Sequence, residues 1–98
     1  MAGRALQKRS RRINCKTPIT LKDKRTGFHY RGTLHNYSRS GLYFESAYAH
    51  RPGRKILIKS NRLPFSRTTK GHHAEVTRRI LLDRRRSTRL FGVGARFC

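Results

Sequence analysis

"FHYRGTLHNYSRSGLYFES", residues 28–46, is the stretch on which the fold turns. Its first part alternates, with Phe28, Tyr30, Gly32 and Leu34 on one side and His29, Arg31, Thr33 and His35 on the other. That period of two is the mark of a half-buried strand. Its last part, "GLYFES" (41–46), reads as a second, short aromatic strand. Between them, "HNYSRSG" (35–41) holds what a turn wants, because Asn and Ser side chains bond nearby backbone and Gly accepts unusual dihedrals. The same residue types line pockets for anionic, hydrogen-bonding ligands, so this loop is also a candidate site.

The pattern continues on both sides. "TPITLKD" (17–23) reads as a strand with Pro18 near its start, followed by the turn "KRTG" (24–27). A loop around Pro52 and Gly53 leads to the strand "KILIKS" (55–60), and "NRLPFSRTTKG" (61–71) is irregular. Two longer strands close the chain, "HHAEVTRRILL" (72–82) and "TRLFGVGARF" (88–97). In the first of these Ala74, Val76, Ile80 and Leu82 share a face that Arg78 interrupts, which a bulge or a barrel mouth would explain. Six strands with no helical period predict an all-β fold, a small six-stranded antiparallel β-barrel, with Gly32, Gly92 and Gly94 at tight bends. Residues 1–16, polar and basic, read as a flexible N-terminal arm, and residues 17–98 as the barrel domain. There is no internal repeat.

Charge narrows the partner. The 98 residues carry 25 Lys and Arg against four Asp and Glu, a formal net charge of +21. Self-repulsion on that scale works against the compact state, and an anionic partner relieves it. Arg outnumbers Lys, and its planar fork grips phosphate bidentately and stacks on bases. The expected partner bears phosphates or an acidic protein surface. No apolar run approaches a membrane span, the N-terminus lacks the apolar core of a signal peptide, and only Cys15 and Cys98 are present, so a reduced cytoplasmic protein is expected.

"KRSRR" (8–12) followed by "NYSRSG" (36–41) resembles the signature of the PilZ domain family, R-x-x-x-R and then [D/N]-x-S-x-x-G. The second half matches in full at Asn36, Ser38 and Gly41, whereas Lys8 stands where the first Arg belongs when Arg12 is aligned with the second. "PGRKILIK" and "AEVTRR…LFGVGARF" extend the likeness over most of the chain. The resemblance implies a six-stranded barrel that binds the bacterial messenger cyclic diguanylate (c-di-GMP), with Lys8, Arg9, Arg11, Arg12, Asn36, Ser38 and Gly41 as ligand-binding residues and no cofactor. It further implies a non-enzymatic receptor and adaptor, whose arm reorders over the ligand and so alters the surface shown to a downstream protein. Some members of the family have lost the messenger and act through protein contacts.

Two other classes bear comparison. A small basic nucleic-acid-binding barrel would use Tyr30, Tyr37, Tyr43 and Phe44 as stacking platforms, with Arg54, Lys55, Lys59, Arg62, Arg78, Arg79 and Arg84 to Arg86 as a second basic surface. An enzyme is the weaker reading. Asp23, Glu45, Glu75 and Asp83 are scattered with no acid/base pair, adjacent His72 and His73 point to opposite faces of a strand, and the two Cys lack zinc spacing.

Overall fold

The structure, a computed structural model, describes residues 11–60, 71–83 and 89–98. Six antiparallel strands close into a barrel: β1 (Ile13–Asp23), β2 (His29–Tyr37), β3 (Gly41–Ser46), β4 (Lys55–Lys59), β5 (His72–Asp83) and β6 (Leu90–Phe97). Their order around the barrel is β1-β2-β3-β6-β5-β4. Closure falls to β1, whose far half pairs with β2 on one side and with β4 on the other, from Thr20 against Lys59 to Asp23 against Ile56. Every strand sends apolar side chains inward: Leu21, Leu34, Phe44, Ile56, Ile58, Val76 and Val93 are sealed from water. Each such side chain contributes about 1.5–3 kcal/mol of transfer free energy, while the cations are held on the outer surface. No helix among the described residues is long and apolar enough to cross a membrane. Cys15 and Cys98 are free thiols.

Three expectations need correction. The barrel begins at Ile13, not Thr17, because Ile13 and Asn14 pair with Tyr37 and Asn36 across a bulge in β1. The boundary between arm and barrel therefore moves, and residues 13–16 belong to β1. In β5 the interruption at Arg78 is a bulge, since Val76 faces Ala95 and Arg78 faces Gly94 with Thr77 extra between them. The inward phase ends there, and Ile80 and Leu82 are exposed rather than continuing the face of Ala74 and Val76. Phe28, placed with Tyr30 and Leu34, precedes β2 and is 63% exposed.

One end of the barrel is sealed by polar and aromatic groups. Asp23, 1% exposed, accepts a hydrogen bond from Arg54 Nη1 at 2.6 Å and from the amides of Arg25 and Thr26 at 2.8 and 3.3 Å. Next to it His50 is buried among the rings of Tyr30, Phe44 and Tyr48, with Nε2 3.3 Å from Ser46 Oγ. Burial drives the His50 pKa from 6.5 down to about 4, with the Asp23 charge opposing this in part. A depressed folded value means that the unfolded chain binds the proton first. The stability His50 contributes is present above pH 6.5 and is lost as pH falls towards about 4. A shift of this size corresponds to roughly 3 kcal/mol. His50→Gln should remove that slope from urea denaturation midpoints measured between pH 7 and pH 4; an unchanged slope would place the titration elsewhere.

Candidate functional site

The loop between β2 and β3 is a turn built by its own side chains. The Ser38 amide donates to the Gly41 carbonyl at 2.8 Å, and the Ser40 amide donates to Ser38 Oγ at 3.3 Å. Ser38 Oγ also lies 3.1 Å from Ser40 Oγ, and the Phe97 amide donates to the Ser40 carbonyl at 2.8 Å. Ser38 is thereby only 6% exposed and is committed to the turn. Gly41 pairs with Arg96, and a Cβ there would collide with the Ala95 carbonyl oxygen. Ser38 and Gly41 of the loop signature therefore have roles in the fold that involve no ligand.

Asn36 is different. Strict alternation from Tyr30, Gly32 and Leu34 would send it into the core. A bulge intervenes, because Leu34 pairs with Phe44 and Asn36 with Tyr43, so His35 is the extra residue. The phase slips by one: Tyr37 turns inward and Asn36 outward. His35 occupies the same outer face, its Nε2 3.2 Å from Glu45 Oε1, near enough to ion-pair when protonated.

On that outer face Arg12 Nη1 donates to Asn36 Oδ1 at 2.9 Å, linking the start of β1 to the loop. The pair borders an open cavity of about 650 Å³ whose other walls include Tyr43, Thr77, Arg78 and Arg96. Its floor is hollowed by glycine. Arg78 lies across Gly94, where a Cβ would come within 3.3 Å of Arg78 Cγ, and the Tyr43 ring lies over Gly92 in the space a Cβ would fill. Gly92 and Gly94, expected at bends, instead make room for side chains on the outer surface. Arg96 is balanced in part by Glu75, 3.7 Å away. Arg12 and Arg78 form no ion pair among the described residues, so the cavity is cationic.

Of the residues singled out from sequence, the structure brings Arg12, Asn36 and Gly41 to one cavity. Arg11 and Ser38 line a neighbouring hollow of about 530 Å³ with Arg39 and Phe97, since consecutive residues of an extended chain face opposite ways. Lys8 and Arg9 lie outside the described residues. Arg96 was not among the expected site residues, and Arg78 was expected only on the second basic surface of the nucleic-acid reading. Arg78 was legible as a break in the apolar face of β5; nothing in the local sequence placed either one beside Arg12. Among the described residues no group of three His, Cys, Asp or Glu could hold a metal ion.

No family model matches the chain, and no curated protein matches it.

Proposed function

We propose that the chain is a non-enzymatic, PilZ-like receptor that captures cyclic diguanylate on the outer face of the barrel. The observation that carries this reading is the Arg12–Asn36 hydrogen bond, which joins the basic segment and the loop signature at the edge of an arginine-lined cavity. The ligand presents two phosphates, two guanine edges and two guanine faces. Arg12 matches guanine O6 and N7 or a phosphate, Arg78 and Arg96 match phosphate oxygens, and the Asn36 amide supplies donor and acceptor for a base edge. Lys8, Arg9 and Arg11 would add cationic cover from the arm. Ordering the arm costs conformational entropy that the charge pairing must exceed, and the reordered surface would then be read by an acidic protein partner in the cytoplasm.

A second reading follows from Ser38 and Gly41, both explained by turn and packing without a ligand: a barrel of the same kind that has no messenger and works through protein contacts. Titration calorimetry with cyclic diguanylate separates the two, with cyclic diadenylate and linear GMP as controls. The receptor reading expects saturable, guanine-selective binding that Arg12→Ala and Asn36→Ala each weaken by about tenfold or more, as for loss of a charge-assisted or bidentate contact. Absence of heat with correctly folded protein, or equal weak binding of every nucleotide, would sink it in favour of the second.

A further inference from the structure

The candidate cavity absorbs little of the net charge of +21, and the far end of the barrel has a different surface. We infer that this end, made by the 24–28 turn and the 47–54 loop, is a second binding surface, for single-stranded nucleic acid. β1 and β2 run antiparallel, with Ile13 against Tyr37 at one end and Lys22 against His29 at the other. Along β1 the two surfaces lie at opposite ends, roughly 30 Å apart at the rise of a strand, but they approach each other across β5, where Lys55 pairs with Glu75 and Glu75 with Arg96.

Cations come first. Lys24, Arg25, Arg51 and Lys55 surround a hollow of about 520 Å³. Arg54 also borders it, but its guanidinium is used by Asp23. None of the other four forms an ion pair with a carboxylate among the described residues. The backbone beneath them is held firmly: Asp23 fastens the amides of Arg25 and Thr26, the Lys24 amide donates to the Lys55 carbonyl at 3.0 Å, and the Gly53 amide to the Val76 carbonyl at 2.7 Å. Phosphates would meet charges already placed on a rigid frame.

The aromatics choose among polyanions. Of the platforms expected from sequence, Phe44 and Tyr37 are buried in the core, whereas Tyr30 and Tyr43 are half-buried. Two other rings are offered to water at this end, Phe28 at 63% and Tyr48 at 41% exposure. Tyr48 is stacked on Tyr30 with centroids 4.1 Å apart, so its position is set, and Phe28 precedes Tyr30 by two residues. An acidic protein surface would need the cations alone. Exposed ring faces beside them suit unpaired bases, which stack while the phosphates are neutralised.

The test is fluorescence anisotropy of a labelled deoxythymidine 20-mer with the full chain over a series of salt concentrations. Lys24→Ala/Arg25→Ala/Arg51→Ala/Lys55→Ala should weaken binding by at least about tenfold and flatten the salt dependence by about three in log–log slope, near 0.7 for each lost phosphate contact. Phe28→Ala/Tyr48→Ala should cost about tenfold with the slope unchanged, while Tyr48→Phe binds as wild type. Arg11→Ala/Arg12→Ala/Lys16→Ala/Arg39→Ala, which removes the same charge around the Ile13 end of β1, should bind nearly as well as wild type. Equal loss in the two four-Arg/Lys variants would overturn the inference, because binding would then follow net charge alone. Wild-type affinity in Phe28→Ala/Tyr48→Ala would overturn it too, leaving an acidic protein as occupant. Phe28 lies outside the core, so Phe28→Ala alone serves if the double variant fails to fold. The probe is not a cyclic dinucleotide, so failure here leaves the receptor reading untouched, and the reverse.

Discussion

Asp23→Ala is expected to cost about 3–5 kcal/mol, because it leaves the Arg54 guanidinium half-buried without its counter-charge and strips the Arg25 and Thr26 amides of their acceptor. A domain of this size has about 5–15 kcal/mol in all, so urea denaturation should find a large part of the stability gone. The effect is large because of position. Asp23 ends β1 where it pairs with Ile56 of β4, and Arg54 immediately precedes β4, so one carboxylate pins the seam that closes the barrel. Removing both partners should be milder: Asp23→Asn with Arg54→Leu leaves no orphaned charge and is expected to recover much of the loss. The acid limb follows the same carboxylate. Burial pushes its pKa up, but the amides of Arg25 and Thr26 and the Arg54 charge together outweigh burial and hold it below the ordinary 3.8. A lowered folded value contributes stability above pH 3.8 that is lost as pH falls through it, below the window in which His50 titrates. An Asp23→Ala protein that melts within a degree or two of wild type would show that the seam does not depend on this pair.

The second large effect is at Gly41. Gly41→Ala drives a Cβ into the Ala95 carbonyl oxygen and within 3.2 Å of Arg96 Cα, both backbone atoms of β6 that cannot rotate away. Overpacking of this kind costs about 3 kcal/mol or more. In a domain of about 100 residues each kcal/mol moves the melting point by roughly 4–8 °C, so scanning calorimetry should record a fall of well over 10 °C. Asn36→Ala should behave in the opposite way. Its side chain faces outward to Arg12, so stability should change by less than about 0.5 kcal/mol, while the receptor reading expects binding of the proposed ligand to weaken about tenfold or more. The two variants would show that one loop signature contains two kinds of residue. Gly41→Ala protein with wild-type melting would mean that the β3–β6 pairing yields.

Much of the fold was legible. Phe91, Val93, Ala95 and Phe97 alternate with Leu90, Gly92, Gly94 and Arg96, and β6 buries the first three of that set while Phe97 packs half-buried against the core. β3 and β4 run over the expected residues because Gly41 and the Pro52–Gly53 turn delimit them. The site was legible only in part. Arg12, Asn36 and Gly41 converge, yet Ser38 is spent on the turn and Arg78 arrives from β5. Sequence spacing carried no sign that Arg78, 66 positions after Arg12 by their numbers, would share its cavity.

By itself the sequence determined the number of strands, their inward faces short of the bulges in β2 and β5, and the excess of positive charge, because each is a property of neighbouring residues: a period of two, turn residues, a count of charges. The tertiary structure alone decided which way the critical side chains point. The bulges at His35 and Thr77 arise from pairing with residues far along the chain, and one extra residue reverses every side chain beyond it. That slip puts Tyr37 in the core and Asn36 beside Arg12, and it ends the buried face of β5 where Arg78 enters the cavity. Alternation read along one strand cannot register a residue that is surplus only relative to its partner.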